Sequence, residues 1–414
     1  MKYIVIGGGV SGLSIANILQ QDGNVVTVFE KEAQPGGLIR CQRVEGNLFH
    51  LTGGHVFNTK RKDVLSWFWS FFSQQEQFHK AIRNSVIKME DGTEIPYPIE
   101  NHVYLLNESL GEAIIDDFIQ RIARPSNEYG NFDDFLKGTF GKTLYDIYFK
   151  PYNEKVWRKD LRDIPLSWLD GKLPMPSVKE IFFNNIFHIK EQSFVHSSFF
   201  YPNQGGSQLI ADTLAKSIDV RYNTQIEQIE RRGHTWIVND EQADAIVFCG
   251  NIKHLPQMLA HSINLEGYKD AIDQLPSHGT TSVFCEIQEN PYSWIYLPSK
   301  KYDSHRIICT GNFSPNNNRE GKMTATIEFT DYISIDDILE QLKQIPYHPV
   351  YLTHHYAEYT YPIQTANTRK LIVALKERLQ PQSFYLCGRF AEWEYFNMDA
   401  AMGSALDLGI ILKK

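Results

Sequence analysis

The sequence predicts an α/β fold: a parallel-sheet domain assembled from separated chain segments, interrupted by a mainly helical insertion and by a strand-rich, antiparallel one. Three observations carry this. The first residues run strand, glycine turn, helix and strand within one short unit. From about residue 60 to about residue 195 the large apolar residues recur at helical spacing. Strand patterns punctuated by Pro and Asn then return from Thr280 to about Tyr361.

Taken in order, the β-branched run from Tyr3 to Ile6 reads as a buried strand that stops at Gly7-Gly8-Gly9-Val10-Ser11-Gly12. Leu13, Ile15, Ala16, Ile18 and Leu19 follow at helical intervals, and Val25 to Phe29 is a second strand closing on Glu30. Helices are predicted from Asp63 to Phe78, Ser109 to Ala123 and Asn131 to Trp157. Gly205-Gly206 precedes a helix from Ser207 to Lys216, the stretch from Asp219 to Asn239 alternates like a small hairpin, and Ala243 to Cys249 is a buried strand. Strands from Ser282 to Ile287, Trp294 to Leu297, Arg306 to Asn312 and Met323 to Phe329 come next. A helix from Thr368 to Leu379 leads into a strand from Ser383 to Cys387, and a last helix starts near Asp399. The parallel-sheet domain is thus expected at 1–60, 200–275 and 380–414, the helical insertion at 61–199 and the strand-rich one at 276–379.

Hydrophobic residues at 42% and charged residues at 22% describe an ordinary globular chain. A formal net charge of −8 argues against the basic field of a nucleic-acid binder, so no nucleic-acid partner is expected. Cys41, Cys249, Cys285, Cys309 and Cys387 stand singly, which favours reduced thiols over metal ligands. No window approaches the roughly 18 apolar residues of a spanning helix, and the opening apolar run is too short for a signal peptide. The expectation is a cytoplasmic protein with no bound metal.

The glycine cluster has the context that gives it meaning. Gly7 permits the tight turn after the strand, Gly9 lets backbone amides approach a pyrophosphate, and Gly12 lets helix and strand pack closely. Phosphate charge is favoured at the helix N-terminus. Glu30, ending the second strand, can accept hydrogen bonds from a ribose diol and disfavours a 2′-phosphate. This is a dinucleotide-binding, Rossmann-like unit. Gly36-Gly37-Leu38-Ile39-Arg40 resembles the extended signature of the glutathione-reductase-like flavoproteins, a superfamily that includes the amine oxidases. That resemblance implies FAD, with Gly36, Gly37 and Arg40 near the flavin-side phosphate and ribityl chain.

Four further phrases narrow the resemblance. They are Gly53-Gly54-His55-Val56-Phe57, Tyr97-Pro98-Ile99-Glu100-Asn101, Pro151-Tyr152-Asn153-Glu154-Lys155-Val156-Trp157, and Gly388-Arg389-Phe390 followed by Trp393, Tyr395, Asn397, Met398 and Asp399. In this order, and over nearly the whole chain, they resemble the UDP-galactopyranose mutase family, several of them its eukaryotic-type branch. The resemblance implies that Gly53, Gly54 and His55 form a loop beside the flavin, with Gly388, Arg389 and Met398 closing on the same cofactor. Tyr97, Glu100, Asn153 and Trp157 are implied on the nucleotide side. Arg306, Tyr296, Tyr361 and Tyr395 are implied as holders of the diphosphate, and Asn397 as a further substrate contact. A diphosphate needs such fixed cations and hydroxyl donors.

The sequence also departs from that pattern. Lys172, in Trp168-Leu169-Asp170-Gly171-Lys172-Leu173-Pro174, stands where the family's mobile loop carries an arginine, keeping the charge and losing the bidentate fork. Glu100 stands where glutamine is usual, and a carboxylate cannot donate to a uracil carbonyl.

What the resemblance implies mechanistically is an isomerase of polysaccharide biosynthesis that interconverts UDP-galactopyranose and UDP-galactofuranose. N5 of reduced FAD (FADH⁻) attacks the anomeric carbon and displaces UDP, held by Arg306, Lys172 and the tyrosines; the sugar ring opens and recloses through its 4-hydroxyl. NAD(P)H is the expected external reductant, and an oligomer is open. Three alternatives stay open: a flavin amine oxidase or protoporphyrinogen-oxidase-type enzyme, a mutase for another nucleotide sugar, and a non-catalytic flavin-binding protein.

Overall fold

In a computed structural model, which describes residues 1–123, 128–166, 176–189 and 197–413, the parallel sheet has five strands. Their order is Phe384–Leu386, Ala245–Phe248, Lys2–Ile6, Val25–Phe29 and Asp219–Arg221, with every neighbour parallel. The central strands are apolar along their length because both faces are covered. Tyr3 and Val5 point to the layer of Ile15, Leu19, Ala405 and Leu408, contributed by the Val10–Gln21 and Met398–Leu412 helices. Ile4 and Ile6 point the other way, toward Trp236, Leu255, Leu375 and Phe384, the side-to-side alternation any strand imposes.

The stretch expected to form a small hairpin divides in two. Asp219–Arg221 joins the parallel sheet as its edge, while Glu230–Arg232, Thr235–Val238 and Glu241–Ala243 form a separate three-stranded antiparallel ribbon. The ribbon buries Trp236, whose indole N–H donates to the Gln382 carbonyl at 2.9 Å.

The second sheet has seven strands in the order Val350–Pro362, Ser277–Ile287, Met323–Thr330, Arg306–Ile308, Trp294–Tyr296, Ser85–Lys88 and Glu94–Pro96. All pairings are antiparallel except Trp294–Tyr296 with Ser85–Lys88. Two of these strands come from the stretch that reads as helical, and the longest, Val350–Pro362, has too little alternation to announce itself. One face packs Val283, Cys285, Ile307 and Ile327 on Ile338 and Leu342 of the Ile335–Leu342 helix. Along the other, the register places Tyr296, Arg306, Glu328, Ser282 and His355 in one cross-strand row. Residues directly opposite share a face, so this register decides which side chains meet.

The helical insertion packs Phe118, Phe132, Phe140, Tyr148 and Phe149 into one core with Tyr296 and Ile308 of the sheet. The pattern from Asn131 to Trp157 breaks into Phe132–Leu144, a π turn Tyr145–Phe149 and the helix Lys150–Trp157. Phe132–Leu144 is itself kinked at Gly141, with φ 81° and ψ 163°. The helix predicted from Asp63 to Phe78 ends at Trp69, because Phe78 leaves as a strand, Phe78–Ile82, paired with Ser198–Pro202. There it sits in an aromatic cluster with Phe68 and Trp69, the ring centroids 5.7 and 5.3 Å away.

Candidate functional site

One cavity of about 2460 Å³ runs from the carboxyl ends of the parallel strands, past the loop around His55, to the helix Lys150–Trp157. Small-ligand sites usually hold about 300–1,000 Å³, so this one has room for two ligands end to end. Its wall includes Gly7, Gly9, Gly12, Glu30, Gly36, Gly37, Arg40, Gly53, Gly54 and His55, then Tyr97, Asn153, Trp157, Arg306, Tyr361, Arg389, Tyr395, Asn397 and Met398.

The dinucleotide end is built to exclude side chains. A Cβ on Gly12 would lie 1.9 Å from the Gly7 carbonyl oxygen, so helix and strand approach as only glycine allows. Gly9 and Gly36 form an isolated bridge, and Gly36 N–H donates to the Gly8 carbonyl at 2.9 Å, which locks the two glycine turns together. The buried Glu30 carboxylate accepts from Gly8 N–H at 2.6 Å and Glu32 N–H at 2.9 Å, fixing it at the strand end. Arg40 pairs with Glu32 at 3.0 Å and donates to the Gly37 carbonyl at 3.1 Å. Gly388, φ 99°, stands against Ser11, where a Cβ would meet Oγ at 2.4 Å.

At the middle of the cavity, a Cβ on Gly54 would meet Ile308 Cγ2 at 2.6 Å, so this loop too lies close against its support. Its anchor is His50, which is wholly buried. His50 Nδ1 accepts from the His55 backbone N–H at 3.2 Å, which leaves Nε2–H to donate to the Tyr201 hydroxyl at 2.7 Å. Burial, and then the charges of Arg389 and Arg306 against that of Glu328, push the His55 pKa down to about 4, so the ring is neutral at pH 7. His55 is also hydrogen-bonded to the Thr52 carbonyl, while its Nε2 is buried without a partner. A buried unpaired polar atom on a cavity wall is a group prepared for a ligand.

Beyond His55 the cations gather. Arg306 Nε donates to Glu328, its cross-strand neighbour, and Nη2 to the Tyr361 hydroxyl at 3.2 Å. Burial alone would raise the Glu328 carboxyl, but Arg306 and His305 offset it and hold it below the usual carboxylate range. Tyr361 stacks on Tyr395 with ring centroids 5.3 Å apart, and the Arg389 guanidinium lies over both rings, 4.3 Å from that of Tyr395. Arg389 also donates to the Phe396 and Thr360 carbonyls at 2.7 and 2.5 Å, with Nε buried and unpaired. Its cationic face has no carboxylate partner among the described residues.

At the far end, Trp157 Nε1 donates to Asn153 Oδ1 at 3.3 Å, one turn apart on the same helix face. Tyr97 joins them on the wall.

Three expected wall residues are elsewhere. Gly388 packs against Ser11 and does not line the cavity. Glu100 is buried in the short Ile99–Asn101 turn and is absent from the cavity wall; its own backbone carbonyl accepts from Asn185 at 2.8 Å. Tyr296 lies in the sheet core, its hydroxyl accepting from Arg83, also off the wall. Lys172 and the loop that carries it lie outside the described residues. In turn the wall includes Arg83, Tyr152 and Glu328, which the sequence reading did not assign. Arg83 donates to Ser85 Oγ at 2.8 Å and lies 4.6 Å over the Trp294 ring. Glu328 alone carried a signal, as an acid inside the otherwise uncharged strand Met323–Thr330.

A model of the NAD(P)-binding Rossmann-like domain matches residues 5–73. The UDP-galactopyranose mutase of Mycoplasma genitalium is 22% identical over 96% of this chain and 91% of its own length. The dTDP-fucopyranose mutase of Escherichia coli is 22% identical over 98% of this chain and 97% of its own. A crystal structure of reduced UDP-galactopyranose mutase superposes with a TM-score of 0.88 at 21% identity, covering 100% of this chain and 93% of that one. The fold is that of those mutases, and the resemblance read from the motifs extends along nearly the whole chain.

Proposed function

We propose that the chain is an FAD-dependent mutase that interconverts the pyranose and furanose forms of a nucleotide sugar, with UDP-galactose as the first candidate. The observation that carries it is one continuous cavity joining a glycine-built dinucleotide cradle to a cluster of arginines and phenols. The cradle fits FAD: Gly7, Gly9 and the N-terminus of Val10–Gln21 would receive the pyrophosphate, and Glu30 a ribose. Gly36, Gly37 and Arg40 would hold the chain leading to the flavin. Gly53, Gly54, His55, Arg389 and Met398 would surround the ring system, with Gly388 packed against Ser11 outside the wall. In its reduced form the flavin supplies a nucleophilic N5, with NAD(P)H as the proposed source of electrons.

The remaining work falls to this chain's own residues. Arg306 and the Tyr361 hydroxyl, 3.2 Å apart, bind the diphosphate, and Tyr395 adds a third donor. Holding that leaving group in one place lets it depart and return to the same carbon. Arg389, over Tyr361 and Tyr395, keeps this end of the cavity cationic. Neutral His55 offers an acceptor at Nε2 and withholds a charge from the sugar. Asn153, Trp157 and Tyr97 hold the base.

An amine-oxidase-type pocket would be apolar where this one collects phosphate donors. A dTDP-linked deoxy sugar is the second reading, supported by the Escherichia coli relative. The test is anaerobic incubation of dithionite-reduced protein with UDP-galactofuranose and, in parallel, dTDP-fucofuranose, followed by chromatography. Conversion to the pyranose that requires reductant and is lost in Arg306→Ala is the expected result; conversion of neither sugar overturns the proposal.

A further inference from the structure

We propose that Lys155 is a positioning residue for Arg306, tying the helix at the nucleotide end of the cavity to the hairpin that carries the arginine. Lys155 lies on the Lys150–Trp157 helix, whose Tyr152, Asn153 and Trp157 face the cavity. Its ammonium turns to the other side and donates to three backbone carbonyls, Leu297 at 2.7 Å, Ser299 at 2.5 Å and Ser304 at 3.2 Å. Three N–H donors meet three acceptors, so its hydrogen-bonding capacity is filled.

All three carbonyls belong to the loop joining Trp294–Tyr296 to Arg306–Ile308. That loop is far longer than the roughly two to five residues usual in a hairpin. The strands it joins are short, paired from Trp294 opposite Ile308 to Tyr296 opposite Arg306, with Leu297 N–H donating to the His305 carbonyl at 3.0 Å beyond them. Arg306 stands at the mouth of this loop, so the way the loop is held bears directly on where the arginine sits. The Lys155 ammonium holds it at those three carbonyls. A second bond holds the same residue from the other side, since Thr330 Oγ1 donates to the Lys155 carbonyl at 2.8 Å. Thr330 ends the strand that carries Glu328, the partner of Arg306. Lys155 is therefore bonded to both chain segments that fix Arg306.

No carboxylate pairs with Lys155 among the described residues, and burial pushes its pKa down to about 7. A surface lysine would serve a simple helix–loop contact without that penalty. Inward-pointing carbonyls are what this one answers.

The ligand arm of the test rests on the diphosphate reading above; the exchange arm does not. Lys155→Met in the FAD-loaded protein is expected to speed amide exchange across residues 294–308 at least tenfold while leaving the Lys2–Ile6 strand unchanged. UDP binding, followed by flavin fluorescence, is expected to weaken at least tenfold in Lys155→Met, yet less than twofold when the substitution is made in Arg306→Ala. Unchanged exchange in the hairpin, or an equal loss of UDP affinity in both backgrounds, overturns the proposal. Should Lys155→Met fail to hold FAD, Lys155→Gln, which keeps two of the three donors, is expected to show a smaller rise in exchange across residues 294–308, and no rise there overturns the proposal. Wild-type protein that binds neither UDP nor dTDP sinks the nucleotide-sugar reading, and the exchange arm then decides Lys155 by itself.

Discussion

Arg306 and Glu328 face each other across two strands with the acid almost wholly buried, and their pairing is what keeps a charged row inside a sheet. Removing one partner of a buried pair strands the other, at a cost of about 3–5 kcal/mol. Glu328→Ala is expected to lose stability on that scale in urea unfolding. A loss below about 1 kcal/mol, the range of exposed pairs, would show that the row does not depend on this pairing. Three histidines give a second prediction at this scale. Burial pushes His50 to about 3, His55 to about 4 and His305 to about 4. In the unfolded chain each titrates near ~6.5. Below about pH 6.5 the unfolded chain therefore binds protons that the folded one excludes, and stability falls with pH by up to ~1.4 kcal/mol per unit for each histidine. Glu328, an acid with a lowered pKa, adds to the loss only when pH drops through the ordinary carboxylate range. Urea midpoints at pH 7 and pH 5 should differ accordingly, with a shallower slope in His50→Asn.

Among the elements, the kink inside Phe132–Leu144, ahead of the helix that faces the cavity, is set by one residue. Gly141 adopts φ 81°, and a Cβ there would lie 2.7 Å from Asp117 Cβ, whose carboxylate accepts from Thr143 N–H at 2.7 Å. Gly141→Ala is expected to cost about 1–3 kcal/mol and to weaken nucleotide binding, because the placement of Tyr152, Asn153 and Trp157 depends on the angle of that kink. Asn131→Ala removes the cap that accepts from Asp134 N–H at 2.9 Å, a loss of about 1 kcal/mol. This second change should leave nucleotide affinity alone. Equal effects of the two on nucleotide binding would show that the helix angle does not matter.

For the molecule as a whole, the cofactor cradle is drawn from Gly7 to Glu30, from Gly36 to His55 and from Arg389 to Met398, segments that meet only in the folded state. A ligand that binds only the folded state stabilises it by about 2.7 kcal/mol at 100 times its Kd. The melting temperature is thus expected to rise with added FAD and to fall when it is stripped. Gly12→Ala, whose Cβ would collide with the Gly7 carbonyl, should abolish that dependence.

Glycine turns, caps and apolar spacing are local, and the sequence by itself determined the features that rest on them. It contained the strand–helix–strand unit and the helix Thr368–Leu379 to the residue, and most of the site residues it named lie on the cavity wall. Pairing is not local. That Asp219–Arg221 leaves its expected hairpin for the parallel sheet, and that Ser85–Lys88 joins the second sheet, depends on partners far along the chain. The fate of Glu100 and Tyr296 turned on the same thing. A motif tells which residue stands at a position, but whether its side chain reaches a cavity is set by the face that packing against distant elements turns inward. Arg83 and Lys155 show the converse, since no spacing marks them, and only the folded chain brings one to Tyr296 and the other to three carbonyls of a distant loop.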